Sequence, residues 1–217
     1  MPKLSSTNQQ LHSIALMPHS SESNTDKRLD NDIDVALMLR VGQHDEQAFE
    51  ELISRHQHAV IGTVAKMLGN SSDSEDIAQQ VFIRIWKSAP RYKPKAKFTT
   101  FLFTITRNLV FNESRRRSRK KEYSIEERED DFHVQSADSG VSAPDEELLH
   151  GELQKAIDQA INSLPEKQRM AVILRRYENM PYDEIGKILE LSISAVKSQL
   201  FRARHALRDS LQQYLDT

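Results

Sequence analysis

Residues 181–204 read PYDEIGKILELSISAVKSQLFRAR, and they decide how the C-terminal part of the chain folds. In the first half, apolar residues recur at helical spacing, and Ser192 is placed to cap a second helix through its hydroxyl. In that second helix four apolar residues share one face: Val196, Leu200, Ala203 and Leu207. The stretch therefore predicts two short helices joined by a tight turn.

The remaining faces of the predicted second helix carry positive charge and no acid before Asp209. Their residues are Lys197, Ser198, Phe201, Arg202, Arg204 and Arg208. A helix that is anchored on one side and cationic on the other suits insertion into the major groove of DNA. The alternative is a solvated helix in an all-α bundle, but the helix-turn-helix pattern favours DNA binding.

With 217 residues, the chain is long enough for one large domain or two small ones. Charged residues make up 29%, glycine and proline are scarce, and no long segment alternates as strands do, so we expect an all-α protein. Cysteine is absent, which excludes disulfides and cysteine-bound zinc. Because no apolar run approaches the roughly 20 residues of a membrane span and the N-terminus lacks a signal-peptide pattern, we expect a cytoplasmic protein without membrane insertion.

The net charge of −2 hides two blocks of opposite sign. Residues 84–121 hold thirteen Lys and Arg against one acid, and residues 122–147 hold ten acids against one Arg. Such blocks set strong local fields although they cancel in the sum. We therefore predict two small helical domains joined by a flexible acidic linker. The predicted parts are a disordered extension at 1–30, a first domain at 31–121, the linker at 122–146 and a second domain at 147–217.

The first predicted domain contains helices at 33–41, 45–68, 73–88 and 98–114, the last with Thr99 as its N-cap. In the helix at 73–88, an apolar core face lies opposite a mostly polar side. That side holds Asp76, Gln80, Ile83 and Lys87. An isoleucine within a polar face marks either a partner surface or a peripheral residue without a role, and the local sequence does not separate the two.

A loop and a helix in this domain combine aromatic and basic residues. The loop at 90–97 holds two prolines, a tyrosine and several Lys and Arg, a mixture that binds phosphates and stacks on an exposed base. In the helix that follows, the residues left available to a ligand are Arg107, Asn108, Phe111, Asn112 and Arg115. The basic run at 115–121 is either solvated charge or a nucleic-acid contact, and the neighbouring loop favours the second.

The sequence contains no recognisable catalytic constellation. A glycine-rich phosphate loop, a paired-histidine metal motif and a nucleophile elbow are all absent. His56 and His58 lie two residues apart and therefore point to different faces of a helix. We expect a binding protein, not an enzyme, with no cofactor and no metal.

Two separate blocks resemble parts of bacterial sigma factors. DSEDIAQQVFIRIW at 73–86 and FTTFLFTITRN at 98–108 resemble the second sigma domain. SLPEKQR at 163–169 and VKSQLFRAR at 196–204 resemble the fourth. With only a linker between the two blocks, the chain resembles the extracytoplasmic-function group of sigma factors over residues 33–215.

The resemblance implies three binding surfaces. The helix at 73–86 would dock on the clamp helices of the largest RNA polymerase subunit through Asp76, Gln80, Ile83 and Lys87. The loop and helix after it would read the minus-ten promoter element through Arg91, Tyr92, Asn108 and Asn112, with Arg115 and Arg116 on phosphates. The C-terminal helix would read the minus-thirty-five element through Lys197, Ser198, Phe201, Arg202 and Arg204. The implied partners are core RNA polymerase, including its flap, promoter DNA and an anti-sigma factor.

Three positions depart from the pattern of many relatives, which have an acid at Gln80, a threonine at Ala195 and an arginine at Gln199. These changes affect polymerase docking and promoter preference more than class. Two other classes compete with the sigma factor. An ordinary regulator would use the same helix-turn-helix on an operator as a dimer, but it leaves the basic loop and the order of charges at 73–121 unexplained. An anti-sigma factor or adaptor leaves both basic surfaces unexplained.

Overall fold

The computed structural model describes residues 24–69, 73–126 and 145–215, and all regular secondary structure within these ranges is helical. The all-α prediction is therefore confirmed for this part of the chain. The helices of the N-terminal unit are α1 (Asn24–Val41), α2 (Glu46–Leu68), α3 (Ser74–Ser88) and α4 (Phe98–Glu126), with a short 3-10 turn at Ala89–Arg91. Those of the C-terminal unit are α5 (Asp145–Ser163), α6 (Glu166–Arg176), α7 (Tyr182–Leu189), α8 (Ile193–Ser210) and α9 (Gln212–Leu215).

Local signals set both ends of α2. The carboxylate of Asp45 accepts a hydrogen bond from the Ala48 amide at 3.0 Å, which satisfies a free donor of the first turn. At the other end Gly69 adopts φ 74°, the left-handed conformation that ends a helix and that glycine reaches without strain. Both helix ends agree with the sequence prediction.

Three sequence predictions on helix boundaries were wrong. The first helix begins at Asn24, within the segment predicted to be disordered, while residues 1–23 lie outside the described ranges. Thr99 does not cap α4, because the helix already begins at Phe98. Helix α4 also continues through the basic run and into the predicted linker, whose residues 127–144 lie outside the described ranges.

Apolar stripes on these helices form the core. In the N-terminal unit, the fully buried side chains include Met38, Leu52, Val64, Val81, Ile85 and Leu102. In the C-terminal unit they include Met170, Ile173, Leu174, Ile185, Ile188 and Val196. Among the described residues no helix combines the length and apolar character that crossing a bilayer requires.

The two units pack directly against each other. Helix α4 lies against α7, and α2 lies against α5 and α6. The guanidinium of Arg169 donates to the carbonyl of Met67 at 2.6 Å and also to the carbonyls of Asn162 and Leu164. One side chain of α6 therefore ties the end of α2 to the turn between α5 and α6.

Candidate nucleic-acid and protein interfaces

Helix α8 has the predicted cap and the predicted buried face. The Ser192 hydroxyl accepts a hydrogen bond from the Ala195 amide at 3.2 Å. Four residues at helical spacing are buried in the C-terminal core: Val196, Leu200, Ala203 and Leu207. The opposite face of α8 is therefore the one left to solvent.

The turn between α7 and α8 is tight. Glu190 adopts φ 56°, and the Leu191 amide donates to the carbonyl of Gly186 at 2.9 Å. A β-carbon at Gly186 would lie 2.7 Å from the carbonyl oxygen of Leu191, closer than side chains approach backbone. Glycine at this position therefore lets the turn close onto α7 and fixes the angle at which α8 leaves it.

Four of the five predicted minus-thirty-five residues are exposed on α8: Lys197, Ser198, Phe201 and Arg202. Phe201 is 58% exposed, and its ring lies 4.4 Å from that of His205, centroid to centroid. A large exposed apolar ring among cations suits contact with a thymine methyl group in a major groove. Arg204 differs from the other four, because it is half-buried and its Nε hydrogen-bonds to none of the described residues.

Four of the six predicted minus-ten residues lie on α4, and the structure exposes all four. Asn108, Asn112, Arg115 and Arg116 are all exposed. An Arg115 nitrogen donates to the amide oxygen of Asn112 at 3.0 Å, and Arg116 donates to both oxygens of Glu113 at 2.8 and 2.9 Å. The hydrogen bond from Arg116 is the main cause that lowers the pKa of Glu113, so this acid is charged and screens the basic run.

Two aromatic residues of this region lie further inward than the sequence predicted. Phe111, predicted to be available to a ligand, is buried. Tyr92 packs its ring 5.1 Å from that of Phe101, and its buried hydroxyl hydrogen-bonds to no described residue. Burial raises the pKa of Tyr92. Of the two loop residues predicted to meet DNA, Arg91 is exposed, whereas Tyr92 faces the protein.

The predicted polymerase-binding side of α3 is open. Its residues Asp76, Gln80, Ile83 and Lys87 are all exposed. Ile83 is 50% exposed, while Ile77, Val81 and Ile85 of the same helix are buried in the core. Ile83 is thus an apolar side chain that lies outside the core and is exposed on the predicted polymerase-binding side of α3.

Sequence reasoning missed the polar contacts that join the two units. Lys97 lies 2.5 Å from Glu184, and Arg107 lies 2.6 Å from Glu190, in nitrogen-to-oxygen distance. Each pair joins residues more than 80 positions apart, so no local pattern could have revealed them. In the described ranges, His, Asp and Glu side chains form no group of three or more that would hold a metal ion.

Two family models match the chain: sigma-70 region 2 over residues 52–120, and sigma-70 region 4 over residues 154–207. The sigma-H factor of Pseudomonas aeruginosa is 29% identical over 184 residues, which is 84% of this chain and 95% of that protein. The ECF RNA polymerase sigma-E factor of Escherichia coli K12 is 32% identical over 183 residues, with 82% of this chain and 94% of the relative covered. That of Haemophilus influenzae is 30% identical over 181 residues, with 82% and 95% covered.

Two solved structures share the fold. One is CnrH in complex with the cytosolic domain of CnrY, with a TM-score of 0.62 at 22% identity, covering 83% of this chain and 98% of that one. The other is the sigma factor RpoE in complex with the anti-sigma factor NepR from Bartonella quintana, with a TM-score of 0.57 at 23% identity, covering 76% of this chain and 96% of that one.

Proposed function

The chain belongs to the extracytoplasmic-function group of the sigma-70 family, and we propose that it divides promoter recognition between α8 and α4. As a sigma factor it is a transcription initiation factor: it binds core RNA polymerase and directs promoter recognition and DNA opening. One observation supports this division of promoter recognition: each unit has its own exposed face whose side chains are compatible with binding DNA.

Helix α8 reads the minus-thirty-five element in double-stranded DNA. Its buried stripe fixes it on the C-terminal unit, so the opposite face can enter a major groove as a rigid body. The residues that face the groove are Lys197, Ser198, Phe201 and Arg202. Half-buried Arg204 contributes a phosphate contact or a brace at the edge of this face.

Helix α4 and the loop before it read the minus-ten element. Asn108 and Asn112 lie one turn apart and offer amide groups to base edges, while Arg115 and Arg116 neutralise phosphates and Arg91 does so from the loop. Tyr92 belongs to this set on one condition, which is that its ring leaves Phe101 when DNA binds. Opening the duplex needs no catalytic residue, because unstacking a base costs a few kcal/mol that a binding pocket offsets.

Helix α3 docks on the polymerase through Asp76, Gln80, Ile83 and Lys87. An exposed isoleucine in a polar face is the kind of residue that stabilises a protein interface when it becomes buried. The protein acts in the cytoplasm beside RNA polymerase and is not an enzyme. An anti-sigma factor controls it, a proposal supported by the shared fold with RpoE, which was solved bound to the anti-sigma factor NepR.

A reconstituted transcription reaction tests the proposal. The purified chain and core polymerase are mixed with genomic DNA of the host bacterium, and the 5′ ends of the transcripts are sequenced. We expect defined start sites that appear only when both components are present. The opposite result would be tight binding of the chain alone to palindromic sites, without any initiation. It would indicate a dimeric regulator and would refute the proposed roles of α3, α4 and α8.

Two variants test the residue roles in the same reaction. Arg202→Ala should weaken recognition of the upstream element by about 1–3 kcal/mol, because it removes a base-edge or groove contact. Lys155→Ala is the matched control, since it removes an exposed positive charge from α5 in the same unit. Equal promoter profiles for the two variants would contradict the role of Arg202.

For the polymerase surface, Ile83→Glu should weaken binding to core polymerase while leaving the folded chain intact. Leu39→Glu is its control, because Leu39 lies on α1 and is similarly exposed at 47%. Binding is measured by the fraction of labelled chain that migrates with core polymerase. If both variants bind as the wild type does, α3 is not the docking helix.

A further inference from the structure

Where α4 meets the end of α7, an arginine of the N-terminal unit forms an ion pair with an acid of the C-terminal unit. An Nη atom of Arg107 donates to the Glu190 carboxylate at 2.6 Å. The Arg107 side chain is only 13% exposed, whereas that of Glu190 is 75% exposed. Glu190 lies in the turn of the helix-turn-helix, and Arg107 immediately precedes Asn108 on the proposed minus-ten helix.

The guanidinium of Arg107 is held in place, and one of its N–H donors has no hydrogen-bond partner among the described residues. It lies 5.9 Å from the centre of the Phe111 ring, within range of a cation–π contact. Its Nε is buried and hydrogen-bonds to none of the described residues. An arginine fork binds carboxylate and phosphate oxygens with the same geometry, so a phosphate could occupy the place that the carboxylate now holds.

A second ion pair also joins the two units, but in this pair the acid is the buried partner. Lys97, just before α4, lies 2.5 Å from Glu184 on α7, and Glu184 is buried. Helix α7 and its C-terminal cap thus supply two acids to two cations of the N-terminal unit, one just before α4 and one within it. Two carboxylates set against a basic helix reproduce the charge that a nucleic-acid backbone would bring there.

We propose that Arg107 is a further promoter-contacting residue, and that Glu190 occupies it in the free factor as a stand-in for a promoter phosphate. This inference rests on the proposed role of α4 in reading the minus-ten element. A phosphate cannot reach the Arg107 fork while the carboxylate holds it, and the two negative groups repel each other at close range. DNA binding at Arg107 therefore requires the turn of the helix-turn-helix to leave α4.

Binding of DNA by the free, full-length chain tests the proposal. The probe is a short fluorescent single-stranded DNA of mixed sequence, followed by anisotropy at low salt, which needs neither polymerase nor a known promoter. Glu190→Gln removes the charge but keeps the length of the side chain, and it should tighten binding about two- to fivefold, the range expected for a partly exposed ion pair. Arg107→Ala should weaken binding.

The matched control is Asp183→Asn, which removes one acid from α7, the helix that Glu190 caps. Asp183 pairs with Lys187 within α7 at 3.8 Å, and both side chains are more than half exposed. We expect its affinity to stay at the wild-type value. If Glu190→Gln and Asp183→Asn raise affinity equally, the effect is general charge and the proposal fails.

The double variant isolates the pair. In an Arg107→Ala background, Glu190→Gln should no longer change affinity, because the residue that it releases is gone. If Glu190→Gln still raised DNA affinity in that background, Glu190 would not act through Arg107 and the proposal would fail. Matching circular dichroism spectra establish that every variant is folded. These outcomes are separable from the proposed function, whose test is whether the wild-type chain supports initiation with core polymerase.

Discussion

Replacing Gly186 by alanine should destabilise the C-terminal unit, although alanine is the better helix former. A β-carbon at this position would lie 2.7 Å from the carbonyl oxygen of Leu191, which is backbone and cannot rotate away. Gly62 on α2 provides the comparison, because a β-carbon added there would meet nothing within 4 Å. The two substitutions are chemically identical and differ only in what the new methyl group meets.

The size of the effect follows from these distances. Ordinary contact begins near 3.4 Å, so the turn after α7 must open by about 0.7 Å to admit the methyl group. Overpacking of this kind costs about 1–3 kcal/mol, while exchanging glycine for alanine in a helix returns about 1 kcal/mol. We expect Gly186→Ala to lose up to about 2 kcal/mol of unfolding free energy and Gly62→Ala to gain about 1 kcal/mol.

Urea unfolding followed by far-ultraviolet circular dichroism measures both changes, with the midpoint moving in opposite directions for the two variants. Because the turn sets the angle between α7 and α8, Gly186→Ala should also weaken binding to a minus-thirty-five duplex under conditions where the variant is fully folded. A midpoint for Gly186→Ala that rises as much as that for Gly62→Ala would show that the turn relaxes freely and would refute the argument.

Two further predictions concern the junction of the units. Arg169→Ala should lower the unfolding free energy by about 2–4 kcal/mol, because the carbonyl of Met67 and two other carbonyls lose a charged donor. Arg169→Lys should recover only part of this loss. An unchanged thermal midpoint for Arg169→Ala would contradict the role of Arg169 in joining the two units. Burial raises the pKa of Glu178 above its ordinary 4.5, so folding favours the protonated, neutral carboxyl. The stability that this preference contributes is complete below pH 4.5 and is lost as the pH rises through the raised pKa. Glu178→Gln keeps an acceptor for Thr63 and should therefore raise the melting temperature at neutral pH but not at pH 4; a gain at both would exclude this cause.

The fold of the helix-turn-helix was predictable because its determinants are local. A capping serine, a four-residue apolar stripe and an uninterrupted basic face all lie within residues 192–208, and each has the predicted position in the structure. The exposed side of α3 was predictable for the same reason, since helical periodicity alone separates Ile83 from Ile77, Val81 and Ile85.

The continuation of α4 through its basic run was not predictable from charge pattern. A run of arginines at 115–117 disfavours a helix by repulsion, which made the run look like its end. The structure shows how the repulsion is relieved. Glu113 accepts hydrogen bonds from Arg116 and Arg117 one turn on, and Asp73 reaches Arg117 from the segment before α3. Asp73 is distant in the sequence, so only the fold supplies this neutralisation.

Tyr92 shows a different limit of sequence reasoning. A tyrosine in a basic loop predicts an exposed stacking surface, but a neighbouring apolar residue competes for the same ring. In the structure Phe101 binds the ring and the hydroxyl is buried with it. The loop sequence cannot show which partner wins, because Phe101 meets the loop only after α4 has packed.

The open side of α3 has a consequence for the order in which a transcription complex assembles. Asp76, Gln80, Ile83 and Lys87 are accessible while the two units are packed together and Arg107 is still held by Glu190. If α3 docks on the polymerase and Arg107 contacts the promoter, as proposed, the polymerase can bind the packed factor through α3 before any promoter is present, whereas the promoter can engage Arg107 only after the units part. On these proposals, engagement of the minus-ten element is sequential, with the polymerase binding α3 first and DNA reaching Arg107 second.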